Sequence, residues 1–166
     1  MPDNAPKDPK LKRQMESYTA RCLLKKAAEK CGYEYLPEME MKTEKGKPVI
    51  KSGEWCFSIA HSNGTVIVAI SDKDVGIDIQ RIGDVSERVV ERFLKKVPAI
   101  PLENTLAWTD YEALGKFLGT GIPLPGEIKR GFEITRFCIS DYAVTVCHEV
   151  NDVCFPPEEL IGVNVE

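Results

Sequence analysis

The sequence has 166 residues, 43% of them hydrophobic and 29% charged, and a formal charge of −4, enough for one domain, or two intimately packed half-domains, with a real core. The acidic balance excludes a general nucleic-acid binder, which carries a basic excess, but leaves room for a local basic pocket that takes a phosphorylated ligand. No run approaches the roughly 20 apolar residues of a membrane span, and the polar, proline-containing start holds no apolar secretion signal, so the expected location is the cytoplasm.

Residues 1–9 read as a disordered lead-in that closes on Asp8-Pro9, a helix cap followed by proline. A helix follows from Lys10 to Lys30, with Leu11, Met15, Tyr18 and Cys22 at helical spacing, Leu23, Ala27 and Cys31 widening the stripe, and Gly32 as its stop. Lys12, Arg13, Arg21, Lys25 and Lys26 lie between the apolar positions and form a solvated basic face. Lys42–Ser52 is a polar connection around Gly46-Lys47-Pro48. Trp55–Ala60 is strand-like, His61-Ser62-Asn63-Gly64 signals a turn, and Thr65–Ser71 and Val75–Gln80 are further strands joined at Asp72-Lys73. Three short strands with tight turns predict local antiparallel pairing.

Ser86 is placed to cap a helix over Glu87–Val97, with Val89, Val90, Phe93, Leu94 and Val97 as its apolar side. A second helix runs from about Glu103 to Leu118 and stops at Gly119-Thr120-Gly121. Phe132–Ile139 and Tyr142–Glu149 flank Ser140-Asp141 as a hairpin, and Leu160–Val165 is a last strand. The predicted fold class is α+β, with helices packed on antiparallel strands. Six cysteines (Cys22, Cys31, Cys56, Cys138, Cys147, Cys154) contain no C-x-x-C pair, and only His61 and His148 could help them hold a metal. They read as reduced structural thiols, small buried hydrophobes rather than a zinc site.

Two places hold side chains that packing alone explains poorly. Side chains alternate along a strand, so Asp78 and Gln80 project to one side of Val75–Gln80, opposite Ile77 and Ile79. Taken alone, Asp78 could equally cap a turn or pair with a lysine. In the helix, Trp108, Glu112 and Lys116 recur every fourth residue and share a face. Taken alone, Glu112 and Lys116 are an ordinary surface ion pair, and Trp108 a core anchor.

The combination says more. Phe57-Ser58-Ile59-Ala60-His61-Ser62, Val75-Gly76-Ile77-Asp78-Ile79, and Trp108-Thr109 with Glu112, Ala113, Lys116, Gly119 and Gly121 follow in order, with Gly46-Lys47-Pro48 upstream. Together they resemble the 4′-phosphopantetheinyl transferase superfamily, in its larger, pseudodimeric, surfactin-synthetase-activating branch, from about Ser17 to Pro125.

The resemblance implies two similar α+β halves, about residues 10–74 and 75–166, with coenzyme A in the cleft between them. The implied reaction moves the 4′-phosphopantetheine arm of coenzyme A to a serine of an acyl or peptidyl carrier protein and releases 3′,5′-ADP. Magnesium, or manganese, would be held by Asp78 and Glu112 with Gln80 beside them, since a hard cation needs only one or two carboxylates when pyrophosphate supplies further oxygens. Glu112 would also help deprotonate the serine, and Lys116 would neutralise phosphate charge. Lys47 and His61 match coenzyme A-contacting positions, and Arg13, Arg21 and Lys25 are candidates to extend that patch.

The expected partners are coenzyme A and a carrier protein, with no nucleic acid and no membrane, and the expected state is a monomer. The sequence departs from the family pattern in carrying Gln80 where a glutamate is common, Tyr111 where a lysine is, and Ala60 where a serine is; its first helix also begins close to its start. These departures motivate a rival, a binding module for coenzyme A or carrier protein without turnover. A second rival is an unrelated magnesium-dependent phosphoryl-transfer enzyme.

Overall fold

Helix α1 (Pro9–Lys30) begins as its sequence dictates: the Asp8 carboxylate accepts the Lys10 N–H at 2.9 Å, and Pro9 has no N–H to satisfy. It belongs to a computed structural model that describes residues 8–121 and 131–150. The buried side of α1 is Glu16, Thr19, Ala20, Leu24 and Ala28, so the stripe expected from Leu11, Met15, Tyr18 and Cys22 faces the wrong way. Leu11 is 47% and Tyr18 74% exposed. The reason is steric: Ala20 and Ala28 on either side of Leu24 let the helix lie close to a sheet, which a face of bulkier side chains would hold off.

The polar stretch expected as a connection is itself a hairpin, β1 (Glu40–Lys42) against β2 (Pro48–Ile50), closed by Thr43 N–H to Lys47 O at 2.9 Å. Strands of three residues are too short for alternation to announce them. Beneath α1, Leu24, Ala28, Tyr35, Ile50, Trp55 and Phe57 form one core, with Tyr33 stacked on Trp55 at 5.4 Å.

β3 (Cys56–Ser62) and β4 (Thr65–Ser71) are an antiparallel hairpin whose two loop residues, Asn63 and Gly64, both have positive φ (50° and 80°). That is the mirror-image turn that matches strand twist, and asparagine-glycine is its preferred sequence. His61 therefore lies in the strand, opposite Val66, and not at the turn tip.

The third strand, β5 (Val75–Arg81), does not continue this hairpin as expected. It pairs antiparallel with β7 (Tyr142–His148), which also pairs with β6 (Glu133–Ile139), giving the order β5-β7-β6. Toward β3 it makes no ladder. There the Ser58 and Ser62 hydroxyls accept the N–H groups of Ile77 at 3.0 Å and Arg81 at 3.3 Å. Side chains thus join the two sheets where backbone pairing stops. The expected hairpin about Ser140-Asp141 is present, and the structure is α+β with antiparallel sheets.

The helix expected over Glu87–Val97 is a single α-turn, α2 (Glu87–Val89), widening into a π-turn over Val90–Leu94 and stopped by Lys95 at φ 55°. Ser86 makes no side-chain cap bond, and Val97 is 88% exposed. Pro98 biases Val97 toward extended backbone, which leaves the segment too short for a regular helix. Helix α3 (Pro101–Leu118) starts two residues before the expected Glu103, with proline in its first turn, and ends at Gly119.

Alternation gives the three-stranded sheet two different faces. Val75, Ile77, Ile79, Val144 and Val146 pack with Ala60 and Ile67, whereas Cys147 packs with Ala113 and Phe117 of α3. At Gly76 the helix comes so close that a Cβ would lie 2.1 Å from Ala113 O and 2.4 Å from Phe117 N. Among the described cysteines, all free of disulfides, only Cys147 is a fully buried hydrophobe; Cys22, Cys31 and Cys138 are exposed, contrary to expectation. The lead-in over residues 1–7, Cys154 and the strand expected over Leu160–Val165 lie outside the described residues.

Gly76→Ala should therefore be severe, because the obstructing atoms are backbone and cannot swing aside. We expect a loss of about 3 kcal/mol in urea unfolding, at the upper end for overpacking. A loss within error of zero would mean that α3 does not rest on β5.

Candidate active site

Close packing at Gly76 brings the polar side of β5 under one face of α3. Lys116 Nζ donates to Asp78 Oδ1 at 2.7 Å and to Ile77 O at 3.0 Å. The expected alternation holds. Asp78 and Gln80 line the same cavity, of about 380 Å³, as Trp108, Glu112, Lys116 and His61. The four-residue spacing on α3 holds as well, since all three of its members reach that cavity. Trp108 is half-buried, with Phe93 edge-on at 5.9 Å and Tyr111 tilted against it at 5.8 Å.

The cavity is electrostatically unbalanced. Asp78 is 7% exposed, and burial pushes its carboxyl above the usual range, against the opposing pull of the Lys116 ammonium, the Ile79 N–H and His61. Burial also raises the Glu112 carboxyl, and the charge of Asp78 raises it further, with Lys116 acting against both. Two carboxylates thus face one lysine. This donor set fits a hard divalent cation, with Asp78 and Glu112 as charged ligands and the Gln80 amide oxygen as a neutral one. Among the described residues no three His, Cys, Asp or Glu side chains gather as a cation cage, so further oxygens would have to come from ligand or water.

A second cavity, of about 280 Å³, adjoins the first and shares Lys116 and Ile59 with it. Its lining holds four cations, Arg21, Lys45, Lys47 and Lys116, among glycines (Gly46, Gly115, Gly119 and Gly121) and the apolar Pro48, Phe57 and Ile59. Lys47 crosses the end of α3, donating to Phe117 O at 3.4 Å and lying 3.6 Å from Asp74. Arg21 holds Glu40 by two bonds, of 3.1 and 2.8 Å, and the Tyr35 hydroxyl donates to the same carboxylate at 2.5 Å. Burial, then Glu40, pushes the Tyr35 phenol up.

The expected coenzyme-contacting pair is divided between the cavities, Lys47 in the cationic one and His61 in the carboxylate one. His61 is about half exposed, its Nδ1 3.5 Å from the Glu16 carboxylate. Of the three residues of α1 expected to extend the patch, only Arg21 reaches the cationic cavity; Arg13 lies at the start of the helix and Lys25 is exposed. Sequence reasoning missed Lys45 and Gly115. The Lys45-Gly46-Lys47 run offered a signal for the first, and nothing local marked the second.

No family model matches the chain. It is 33% identical over 94 residues to the 4′-phosphopantetheinyl transferase gsp of Aneurinibacillus migulanus, covering 51% of this chain and 39% of that protein. It is also 33% identical over 88 residues to the 4′-phosphopantetheinyl transferase psf-1 of Bacillus pumilus, covering 46% and 38%. The matched part therefore spans about two fifths of either relative's length, and over that part the resemblance seen in the motifs is supported by two transferases of this superfamily.

Because burial and Asp78 both oppose ionisation of Glu112, the Glu112→Gln variant should melt above the wild type at neutral pH without added metal. A carboxyl raised by folding costs stability above its unfolded pKa and costs nothing once both states are protonated. The advantage should shrink as pH falls through the carboxylate range. Equal melting curves at neutral pH would show that Glu112 bears no such strain.

Proposed function

We propose, from this kinship with the 4′-phosphopantetheinyl transferases, that the chain moves the 4′-phosphopantetheine arm of coenzyme A to a serine of an apo acyl or peptidyl carrier protein, releasing 3′,5′-ADP. The observation that carries the proposal is the pair of adjoining cavities, one with two carboxylates and one with four cations, sharing Lys116. A ligand with a pyrophosphate in the middle and a further phosphate at one end matches that division.

Lys45, Lys47 and Arg21 would bind the adenosine phosphates, with the cavity's glycines leaving space for the base. His61 would add a contact at the rim of the other cavity. Asp78 and Glu112, with Gln80, would hold magnesium or manganese, which when bound neutralises charge on the pyrophosphate oxygens. Glu112, its carboxyl made more basic by burial and by Asp78, would take the serine proton directly or through one water. Lys116, fixed on Asp78 and Ile77 O, would stand at the junction of the cavities and stabilise charge on the departing 3′,5′-ADP.

Coenzyme A, magnesium and an apo carrier protein should together give a carrier heavier by one phosphopantetheine arm. Asp78→Ala and Glu112→Ala should each slow this by roughly 10²-fold or more. Binding of coenzyme A with no mass gain would favour the binding module that Gln80, in place of a second strand carboxylate, suggests.

The cationic cavity makes a separate expectation. Lys47→Ala should weaken coenzyme A by about one to two powers of ten while changing dephospho-coenzyme A little, as read by calorimetry. An unchanged ratio would move the 3′-phosphate away from Lys47.

A further inference from the structure

Asp110 stands two positions before Glu112 on α3 and does not line either cavity. Its carboxylate accepts Arg136 Nε at 2.9 Å and Nη2 at 2.6 Å, a two-pronged bond, and the Thr145 hydroxyl at 3.0 Å. Thr145 Oγ1 is also 2.8 Å from Thr109 Oγ1. Each hydroxyl has one proton: Thr145 gives its own to Asp110, and that of Thr109 is shared between Thr145 Oγ1 and Leu106 O, at 3.1 Å.

Strand register gives this cluster its meaning. Thr145 on β7 stands opposite Asp78 on β5 and opposite Arg136 on β6. Asp78, Thr145 and Arg136 are therefore one row across the sheet, on the face that meets α3. The helix is bonded to that row twice, through Asp110 to Thr145 and Arg136, and through Lys116 to Asp78. Glu112 lies between the two attachments. The contact at Gly76 sets how close the helix lies to the sheet, and the two attachments on one row constrain its rotation and its position along the axis.

We infer that Asp110, with Arg136 and Thr145, is a positioning residue: it sets the rotation of α3 at which the Glu112 carboxylate faces Asp78. This rests on the reading of Asp78 and Glu112 as a divalent-cation site and deepens it. The Arg136 side chain is 50% exposed, so solvent screens the pair, and the melting temperature read beside metal affinity separates its effect on geometry from its effect on folding.

The test uses Mn²⁺ alone as the probe of the carboxylate pair, by calorimetry or electron paramagnetic resonance, and 3′,5′-ADP as the probe of the cationic cavity. Asp110→Asn keeps the shape of the side chain but loses the charged fork, and should weaken Mn²⁺ about tenfold, the lower end for a residue that orients a ligand. Affinity for 3′,5′-ADP and the melting temperature should stay near wild type. Arg136→Ala should reproduce the loss and keeps the test available if Asp110→Asn folds poorly. Arg136→Lys, with charge but no fork, should fall between.

In a Glu112→Gln background Asp110→Asn should cost nothing more, because its effect passes through Glu112. Unchanged Mn²⁺ affinity in Asp110→Asn and Arg136→Ala, an additive loss in the double variant, or a parallel loss of 3′,5′-ADP would each overturn the inference. A wild type that binds 3′,5′-ADP but no Mn²⁺ would instead overturn the cation site itself, and this inference with it.

Discussion

Because residue 76 has no Cβ, the backbone of α3 comes to rest directly on β5, with Ala113 O and Phe117 N where a methyl group would be. The spacing of Asp78, Glu112 and Lys116 depends on that contact. Two residues along the strand from Gly76 is Asp78, and along the helix from Ala113 and Phe117 are Glu112 and Lys116, so the contact sets how far apart the charged groups stand. A larger residue at 76 would lift the helix and widen the distance across which Lys116 reaches Asp78, now 2.7 Å. Close backbone approach is costly in conformational entropy for glycine; here it fixes a charge arrangement that no pairwise ion pair would hold unaided.

The open edge of β5 is the second constraint. A strand edge without a partner leaves N–H groups that must find acceptors or water. Ile77 and Arg81 donate to the hydroxyls of Ser58 and Ser62, and Ile79 donates to the Asp78 carboxylate. Each donor meets a side-chain oxygen, two of them serine hydroxyls and one a carboxylate. The bond from Ile79 also stabilises the charged form of Asp78 in a place where burial opposes it. The edge that the fold leaves unpaired is thereby used to keep a buried carboxylate ionisable.

The parts of this arrangement that depend on periodicity were legible in the residues. Alternation alone put Asp78 and Gln80 on one side, and four-residue spacing put Trp108, Glu112 and Lys116 on another, and the structure brings both sides to one cavity. What periodicity cannot see is which partner a face will choose. The face of α1 with more apolar residues lost to the one with smaller residues, since Ala20 and Ala28 admit a close neighbour. Strand β5 ignored the adjacent β4 for β7, more than 60 residues on, a pairing that no local pattern encodes. Lys47 and His61 resemble one binding patch in sequence, yet the β1–β2 loop and β3 deliver them to different cavities. Asp110 looked like any helix-surface acid, because its meaning depends on a register across three strands.

The uneven burial of the cysteines has its own use. Cys22 is exposed on α1 and Cys31 at its C-terminal cap, on the side of the β3–β4 hairpin, and Cys138 is exposed on β6, the outer strand of the other sheet. Neither cavity is lined by sulfur. Among the described residues, addressable thiols thus lie on both sides of the cleft and none within it. Probes attached there would form a ruler across the seam at Ser58 and Ser62, able to register the two sheets parting or closing without touching a residue that binds or reacts.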